Sequence, residues 1–325
     1  MSGYRLVARA FGGPEVIARE PLVAAPVEPG KVRVRHTAIG VNFIDTYHRS
    51  GLYPLPLPAP LGVEAAGVVE AVGEGVNAIA AGQRVSYIAA SPGSYASWAD
   101  LAPDRLLPLP DAISDAIAAG ATLKGLTAQT LIFGCAAIKP GQSALVHAAA
   151  GGVGRLLVQW LAAIGVRVIA HSGSPEKAAI ARSLGAELSL DGGFDSLAAQ
   201  VRDATGGAGV DVVFDGVGAA SWEGSLDSLR PRGLMISFGN ASGPVPPFSP
   251  LDLTRRGSLF LTRPRVYDYI ASKAELDAAA AALFAMIGDG KLAVEIGLTL
   301  PLAEAAEAHR ALEARTTTGS VILIP

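Results

Sequence analysis

Between Ser143 and Ile164 the chain reads S-A-L-V-H-A-A-A-G-G-V-G-R-L-L-V-Q-W-L-A-A-I. Ser143 to His147 has the apolar character of a buried parallel strand, Arg155 to Ile164 has the 3.6-residue apolar period of a helix, and Ala and Gly fill the turn between them. Ala149, Gly151 and Gly154 stand at the spacing of the dinucleotide fingerprint, with Ala at the first glycine position. Small residues there let the chain bend, let a pyrophosphate approach the main chain and let the helix pack on the strand, while the N–H groups of the helix start attract negative charge. A packing turn uses the same residues, but the place of this one between strand and helix favours a cofactor turn. A second chemical signal follows the next strand, Val166 to Ala170, which runs into His171-Ser172-Gly173-Ser174. NAD enzymes commonly present a carboxylate at this point, whereas a 2′-phosphate needs small polar and basic groups. Ser172 stands where the acid would be, Lys177 follows on the next helix, and Glu176 should point elsewhere by helical spacing. NADPH is therefore the expected cofactor.

The elements that must position these residues change character along the chain. The first hundred or so residues are rich in short β-branched runs (Arg5 to Ala8, Val32 to Thr37, Val63 to Val72, Arg84 to Ile88) separated by Gly and Pro turns, which predicts a small barrel or folded sheet. Asn42 to Arg49 interrupts this rhythm as a short helix, and the proline-rich Tyr53 to Pro60 reads as an irregular loop. From about Leu123 strands and helices alternate as far as Phe238, the pattern of a parallel sheet with right-handed crossovers. Beyond Pro250 come a strand at Ser258 to Thr262, a helix at Lys273 to Ile287, a helix at Ala303 to Glu313 and a strand at Ser320 to Ile324, too few for a third domain.

The 325 residues allow two domains, and 50% hydrophobic with 17% charged residues describes a compact globular enzyme. A net charge of −3 disfavours nucleic acid as the main partner. One cysteine, Cys135, excludes an internal disulfide and a cysteine-rich zinc site. No uninterrupted apolar run of membrane-spanning length is expected, since Arg155 and Arg167 bracket the longest candidate, and with no signal-peptide pattern the expected location is cytoplasmic. The five histidines are scattered and form no catalytic pair.

Several stretches in order carry a family resemblance: N-F-I-D-T-Y-H-R-S-G-L-Y at Asn42 to Tyr53, P-L-G-V-E-A-A-G at Pro60 to Gly67, L-K-G-L-T-A at Leu123 to Ala128, A-A-A-G-G-V-G at Ala148 to Gly154, and S-F-G-N at Ser237 to Asn240. The chain resembles the medium-chain dehydrogenase/reductase superfamily and, within it, the zinc-free, ζ-crystallin-like NADPH:quinone oxidoreductases. This likeness implies an α/β protein with a GroES-like β-rich catalytic domain (residues 1–122 and 263–325), a Rossmann domain (residues 123–262), a cleft between them, and a homodimer. Zinc-dependent relatives place Cys and His at points that correspond to Asn42 and Val63, neither of which is a usual zinc ligand, so no metal is expected. Glu64, beside Val63, reads as a hydrogen-bonded carboxylate rather than a cation ligand.

The resemblance also implies a set of cofactor contacts: Asn42, Thr127, Ala150, Gly151, Gly152, Val153, Ser172, Lys177, Val217, Phe238, Gly239, Asn240, Arg263 and Arg315. Bacterial relatives carry a tyrosine near the 2′-phosphate where this chain has Gly192, a departure that removes a contact. Reduction of a quinone needs a hydride from the nicotinamide and charge stabilisation on the acceptor oxygen. Asn42, Tyr47 and Tyr53 are the side chains expected beside the ring, Asn42 foremost. The competing expectations are reduction of α,β-unsaturated carbonyls or enoyl thioesters at the same nucleotide site, and a nucleotide-binding structural or RNA-binding role. Ser258 to Thr262 is the expected edge for pairing of two Rossmann sheets across a two-fold axis.

Overall fold

The computed structural model describes residues 2–325, which divide into two compact units, one of residues 2–124, 271–288 and 294–325 and the other of residues 125–270 and 289–293. In the first unit β1 (Ser2–Ala8) pairs antiparallel with β2 (Ile17–Val23) and with the two-residue β4 (Ala59–Pro60). A longer sheet is built on β3 (Val32–Val41) and β5 (Glu64–Val72), followed by β6 (Arg84–Ile88), β7 (Trp98–Leu101) and β8 (Leu107–Pro108). The second unit holds β9 (Ser143–His147), β10 (Arg167–Ser172), β11 (Leu188–Asp191), β12 (Val210–Asp215), β13 (Leu229–Ser237) and β14 (Phe260–Thr262). The chain then returns to the first unit with β15 (Ile296–Pro301) and β16 (Ser320–Ile324). β16 lies between β15 and β3, so the last strand is an interior strand of the seven-stranded sheet.

Strand β3 shows how the pattern V-R-V-R-H-T becomes a core strand. Val32 and Val34 are buried, and so is Arg33, because the residue opposite it in the antiparallel register is Asp100. The guanidinium fork donates to both carboxylate oxygens, at 2.7 and 2.6 Å, which offsets the cost of burying the charge. Ile39, Leu61, Val69, Tyr87, Tyr95, Leu106 and Leu323 close this unit's core.

In the second unit the six strands run in the order β11, β10, β9, β12, β13, β14, every pairing parallel. This is the doubly wound order whose strand carboxyl ends meet ligand where the order reverses, here between β9 and β12. Leu145, Ile169, Val213, Trp222 and Met235 form its core.

Several expectations are corrected. Tyr53 to Pro60 is irregular only as far as Pro58, because Ala59 and Pro60 pair with Ala8 and Val7 at a sheet edge, where a missing N–H is tolerated. The return to the first unit falls at residue 271 rather than 263, since the helical turn Val266–Tyr269 packs against Thr130–Ala136 of the second unit. Residues 289–293 also belong to the second unit, where the Gln159 amide bonds both main-chain groups of Ala293. The helix Asp115–Gln129, continued by a π-helical turn at Thr130–Ala136, lies outside the sequence reading. These 22 residues are long and apolar enough by composition to cross a membrane, contrary to expectation, but 72% of the apolar window is buried inside the protein, as in a core helix.

Candidate nucleotide and acceptor sites

The turn after β9 is made almost entirely of main chain. Ala148 adopts a left-handed backbone (φ 48°), Gly151 caps the helix Gly152–Ala163, and the first N–H groups of that helix have no partner inside it. A Cβ on Gly154 would lie 2.2 Å from the Ala148 carbonyl oxygen, so the third glycine is what allows helix and turn to touch. Ala149 and Ala150 are buried, while Gly151, Gly152 and Val153 are half-buried. This geometry fits a pyrophosphate, for which small residues and outward main-chain donors are the requirement.

Further residues of the expected cofactor set sit at the carboxyl ends of neighbouring strands. Val217 follows β12, and Phe238, Gly239 and Asn240 follow β13. One buried carboxylate organises this pair of loops: Asp215 Oδ1 accepts from the N–H groups of Val217 (2.7 Å) and Gly218 (3.1 Å), and its Oδ2 accepts from the hydroxyls of Ser221 and Ser225. Phe238 N–H in turn donates to the Asp215 carbonyl. Arg263, directly after β14, donates from Nη1 to Ser237 Oγ and to the Gly239 carbonyl, both at 3.0 Å. Thr127 is half-buried in the helix Asp115–Gln129. Arg315 belongs to the other unit, where it is exposed at a left-handed position (φ 57°) after the last helix.

The expected 2′-phosphate group of residues differs in detail from the sequence reading. Ser172 ends β10 with its side chain turned inward, 2% exposed and with no hydrogen-bond partner for its hydroxyl. At the start of the helix Pro175–Ser183, Ser174 and Lys177 are both half-buried, and Ser174 Oγ accepts from the Lys177 N–H. Glu176 is exposed and bonds the Ser174 hydroxyl, which holds its carboxyl below the usual range. The segment Gly192-Gly193 is exposed and contributes no side chain, and the Gly192 carbonyl bonds His171 Nε2.

In the first unit Asn42 caps the helix Phe43–Ser50 and is held at two points by carboxylates. Its main-chain N–H donates to Asp45 Oδ2 at 2.8 Å, and its side-chain Nδ2 donates to Glu64 Oε2 at 2.9 Å. Glu64 is fully buried at the start of β5, where its Oε1 accepts from Leu123 N–H at 2.6 Å and the Lys124 ammonium lies 3.6 Å from Oε2. Burial pushes its carboxyl up, against the lowering pull of Lys124, Asn42 and Leu123. Asp45, equally buried, is pushed up to about 7 by desolvation, although Asn42 N–H and the Tyr95 hydroxyl oppose the shift. The polar chain continues from Tyr95 to His309 Nε2 (3.0 Å), from His309 Nδ1 to Arg49, and from Arg49 to Glu313 at 2.6 Å. Tyr47 and Tyr53 meet edge to face at 5.3 Å, with Phe43 tilted against Tyr47, and Tyr53 is 37% exposed. The structure thus gathers Asn42, Tyr47 and Tyr53 around one short helix.

Sequence reasoning missed Asp215, Asp45 and Lys124. The run D-V-V-F-D-G-V-G held the clue for the first, an acid closing an apolar strand before a glycine turn. Asp45 follows Asn42 at the three-residue spacing of a capping box, whereas Lys124 meets Glu64 only through the fold.

A GroES-like sheet and a six-stranded parallel nucleotide-binding sheet in one chain define a class, the medium-chain dehydrogenases and reductases. The family description "Alcohol dehydrogenase GroES-like domain" matches residues 28–111 and "Zinc-binding dehydrogenase" matches residues 152–284. A quinone oxidoreductase of Pseudomonas aeruginosa is 47% identical over 99% of both chains, and a 2-haloacrylate reductase of Burkholderia sp is 42% identical over 97% of this chain and 96% of its own. The crystal structure of Escherichia coli quinone oxidoreductase complexed with NADPH matches with a TM-score of 0.96 at 43% identity, covering 99% of this chain and all of that one. The chain belongs to the zinc-free quinone oxidoreductase branch of this superfamily. In keeping with that branch, Asn42 offers an amide already bonded to Glu64 and Val63 a buried apolar side chain, neither of them a usual zinc ligand.

Proposed function

We propose that this protein reduces quinones with NADPH and without a catalytic metal. The observation that carries the reading is the main-chain turn of Ala148 to Gly154 at the switch point of the parallel sheet, in a chain whose full-length relatives are quinone oxidoreductases. Ala150, Gly151, Gly152 and Val153 would hold the pyrophosphate. Ser174 and Lys177 at the next helix start, with Ser172 beneath them, would set the preference at the 2′-phosphate. Thr127, Val217, Phe238, Gly239, Asn240 and Arg263 complete the nucleotide contacts of this unit, and Asn42 and Arg315 those of the other. When bound, NADPH supplies the hydride. Asn42 uses one of its two Nδ2 protons on Glu64 and keeps the second as a donor for negative charge on the acceptor oxygen, a contribution of about 2 to 4 kcal/mol in a dry, preorganised site. The Phe43, Tyr47 and Tyr53 rings offer a face to a planar acceptor.

The test is NADPH oxidation by metal-stripped protein against para- and ortho-quinones, with 2-haloacrylates, enones and an enoyl thioester in parallel. Turnover of quinones is expected, and turnover confined to the unsaturated compounds would transfer the function to double-bond reduction, a reading favoured by the identity to the Burkholderia enzyme. Silence in every arm would move the weight to a binding role, for which a salt-sensitive RNA shift displaced by NADPH is the check. The protein is further proposed to act in the cytoplasm as a homodimer without nucleic acid. β14 lies at the sheet edge with Phe260 61% exposed, and a monomeric mass at micromolar concentration would defeat that assembly.

A further inference from the structure

We infer that Glu64 is a positioning residue, which fixes the side-chain amide of Asn42 in one of its two orientations; the inference rests on the reading of Asn42 as the donor to the acceptor oxygen. A carboxamide presents a donor on one side and an acceptor on the other, and a half-turn about its last bond exchanges them. A carboxylate accepts only, so Glu64 Oε2 at 2.9 Å admits Nδ2 and repels Oδ1.

Three features hold that carboxylate in place. Leu123 N–H donates to its other oxygen at 2.6 Å, so the plane of the group is fixed by main chain. Lys124, 8% exposed, brings a positive charge to 3.6 Å and itself donates to the Val41 carbonyl, next to Asn42. Gly40 makes room: a Cβ there would lie 2.3 Å from Glu64 Oε2 and 2.2 Å from the Ala119 carbonyl oxygen. Asp45 meanwhile anchors the Asn42 main chain and turns its own N–H toward the Asn42 side chain in a capping box, and Glu64 fixes the opposite, Nδ2, side of the amide.

The substitution Glu64→Gln keeps the volume and lets a neutral amide meet Asn42 in either orientation. With a quinone acceptor, kcat should fall about tenfold or more while KM for the quinone changes little. In an Asn42→Ala background Glu64→Gln should cost nothing further. An additive loss in this cycle, or a Glu64→Gln protein within twofold of the unaltered one, overturns the inference. Glu64→Asp, which keeps the charge but withdraws the carboxylate by one methylene, is the second route should the first variant fold poorly, and the same non-additive loss is expected. The Asn42 side-chain NH2 signal in a 15N spectrum, assigned by its loss in Asn42→Ala, should carry one strongly downfield proton that moves upfield in either Glu64 variant. An unshifted signal overturns the inference whatever the activity. Absence of quinone turnover in the unaltered protein would defeat the functional reading alone, with the amide signal still deciding Glu64.

Discussion

The carboxyl edge of the parallel sheet and the cluster around Asn42, the two places proposed to meet ligand, hold polar groups in position with opposite materials. At the sheet edge the groups are main-chain N–H donors, and the sequence contributes by leaving side chains out, as at Gly154. Around Asn42 the groups are side chains from separate segments, and two buried carboxylates and an ammonium must be balanced for the cluster to exist. Backbone sites tolerate little added volume. Charged sites tolerate little lost charge.

The largest effect that would break this contrast is expected from Lys124→Met. Removing the ammonium leaves Glu64 buried without its cation, a loss of about 3 kcal/mol or more in stability, and adding Glu64→Gln should restore most of it, because the neutral pair has no charge to compensate. Thermal melts of the single and double variants check this; if the double is no more stable than the single, the charge balance is not what holds the cluster. Next is Gly154→Ala, whose Cβ meets the Ala148 carbonyl oxygen: fluorescence titration should find NADPH binding weakened roughly 100-fold, about 2.7 kcal/mol, while Lys124→Met should leave that affinity within a few-fold.

How far each site could be read in advance follows from the same difference. Small residues at fixed spacing survive in the linear sequence, so the turn, the parallel alternation and the loop Phe238 to Asn240 were visible. The Glu64 carboxylate was visible, but not that Leu123 and Lys124, some sixty residues later, would enclose it, since nothing local specifies that approach. The helix Asp115–Gln129 escaped because most of its surface is buried, which erases the one-sided apolar stripe by which helices are recognised. β15 was missed because its alternation of Ile296, Leu298 and Leu300 is short, only half-buried, and carries Gly297 and Pro301 at its exposed positions, residues that read as turn. At the position expected to meet a 2′-phosphate, the spacing did not show that Ser172 would be buried at the strand end while Ser174, two residues on, is only half-buried.

Acidity sharpens the contrast on a smaller scale, because the Asn42 cluster contains groups displaced in opposite directions. Burial holds His309 down to about 3, with the Arg49 charge adding to the effect, so in the folded protein it resists protonation. The unfolded chain takes up that proton near 6.5. The stability contributed by neutral His309 is therefore present above pH 6.5 and is lost as pH falls toward 3. Asp45 behaves oppositely: its proton is held up to about 7, so its contribution is present below about 3.9 and is lost as pH rises through 7. Between pH 5 and 6.5 the stability advantage of the unaltered protein over His309→Gln should grow with pH, and that over Asp45→Asn should shrink, each by about 1 kcal/mol per pH unit. Denaturant midpoints across that window measure both, and equal slopes would show that the two groups do not titrate as described.

The smallest effect concerns the partly exposed helix start. Lys177→Ala should weaken NADPH binding only a few-fold and leave NADH unchanged, consistent with a solvent-screened charge; a loss equal for both nucleotides would remove Lys177 from the phosphate.

The place of β16 imposes an order on synthesis. Val321 to Leu323 pair with Val41 to Ile39, so this part of the seven-stranded sheet waits until Leu323 has left the ribosome, whereas the parallel sheet has all its strands once Thr262 has emerged. The nascent chain therefore carries a completed parallel sheet beside an unfinished first sheet, with Ile39 to Val41 unpaired on one side of β3 for about sixty residues of elongation, several seconds at ordinary rates. A ribosome stalled shortly before β16 would expose that open edge, and the codons of β16 rather than those of β3 decide when the first fold is sealed.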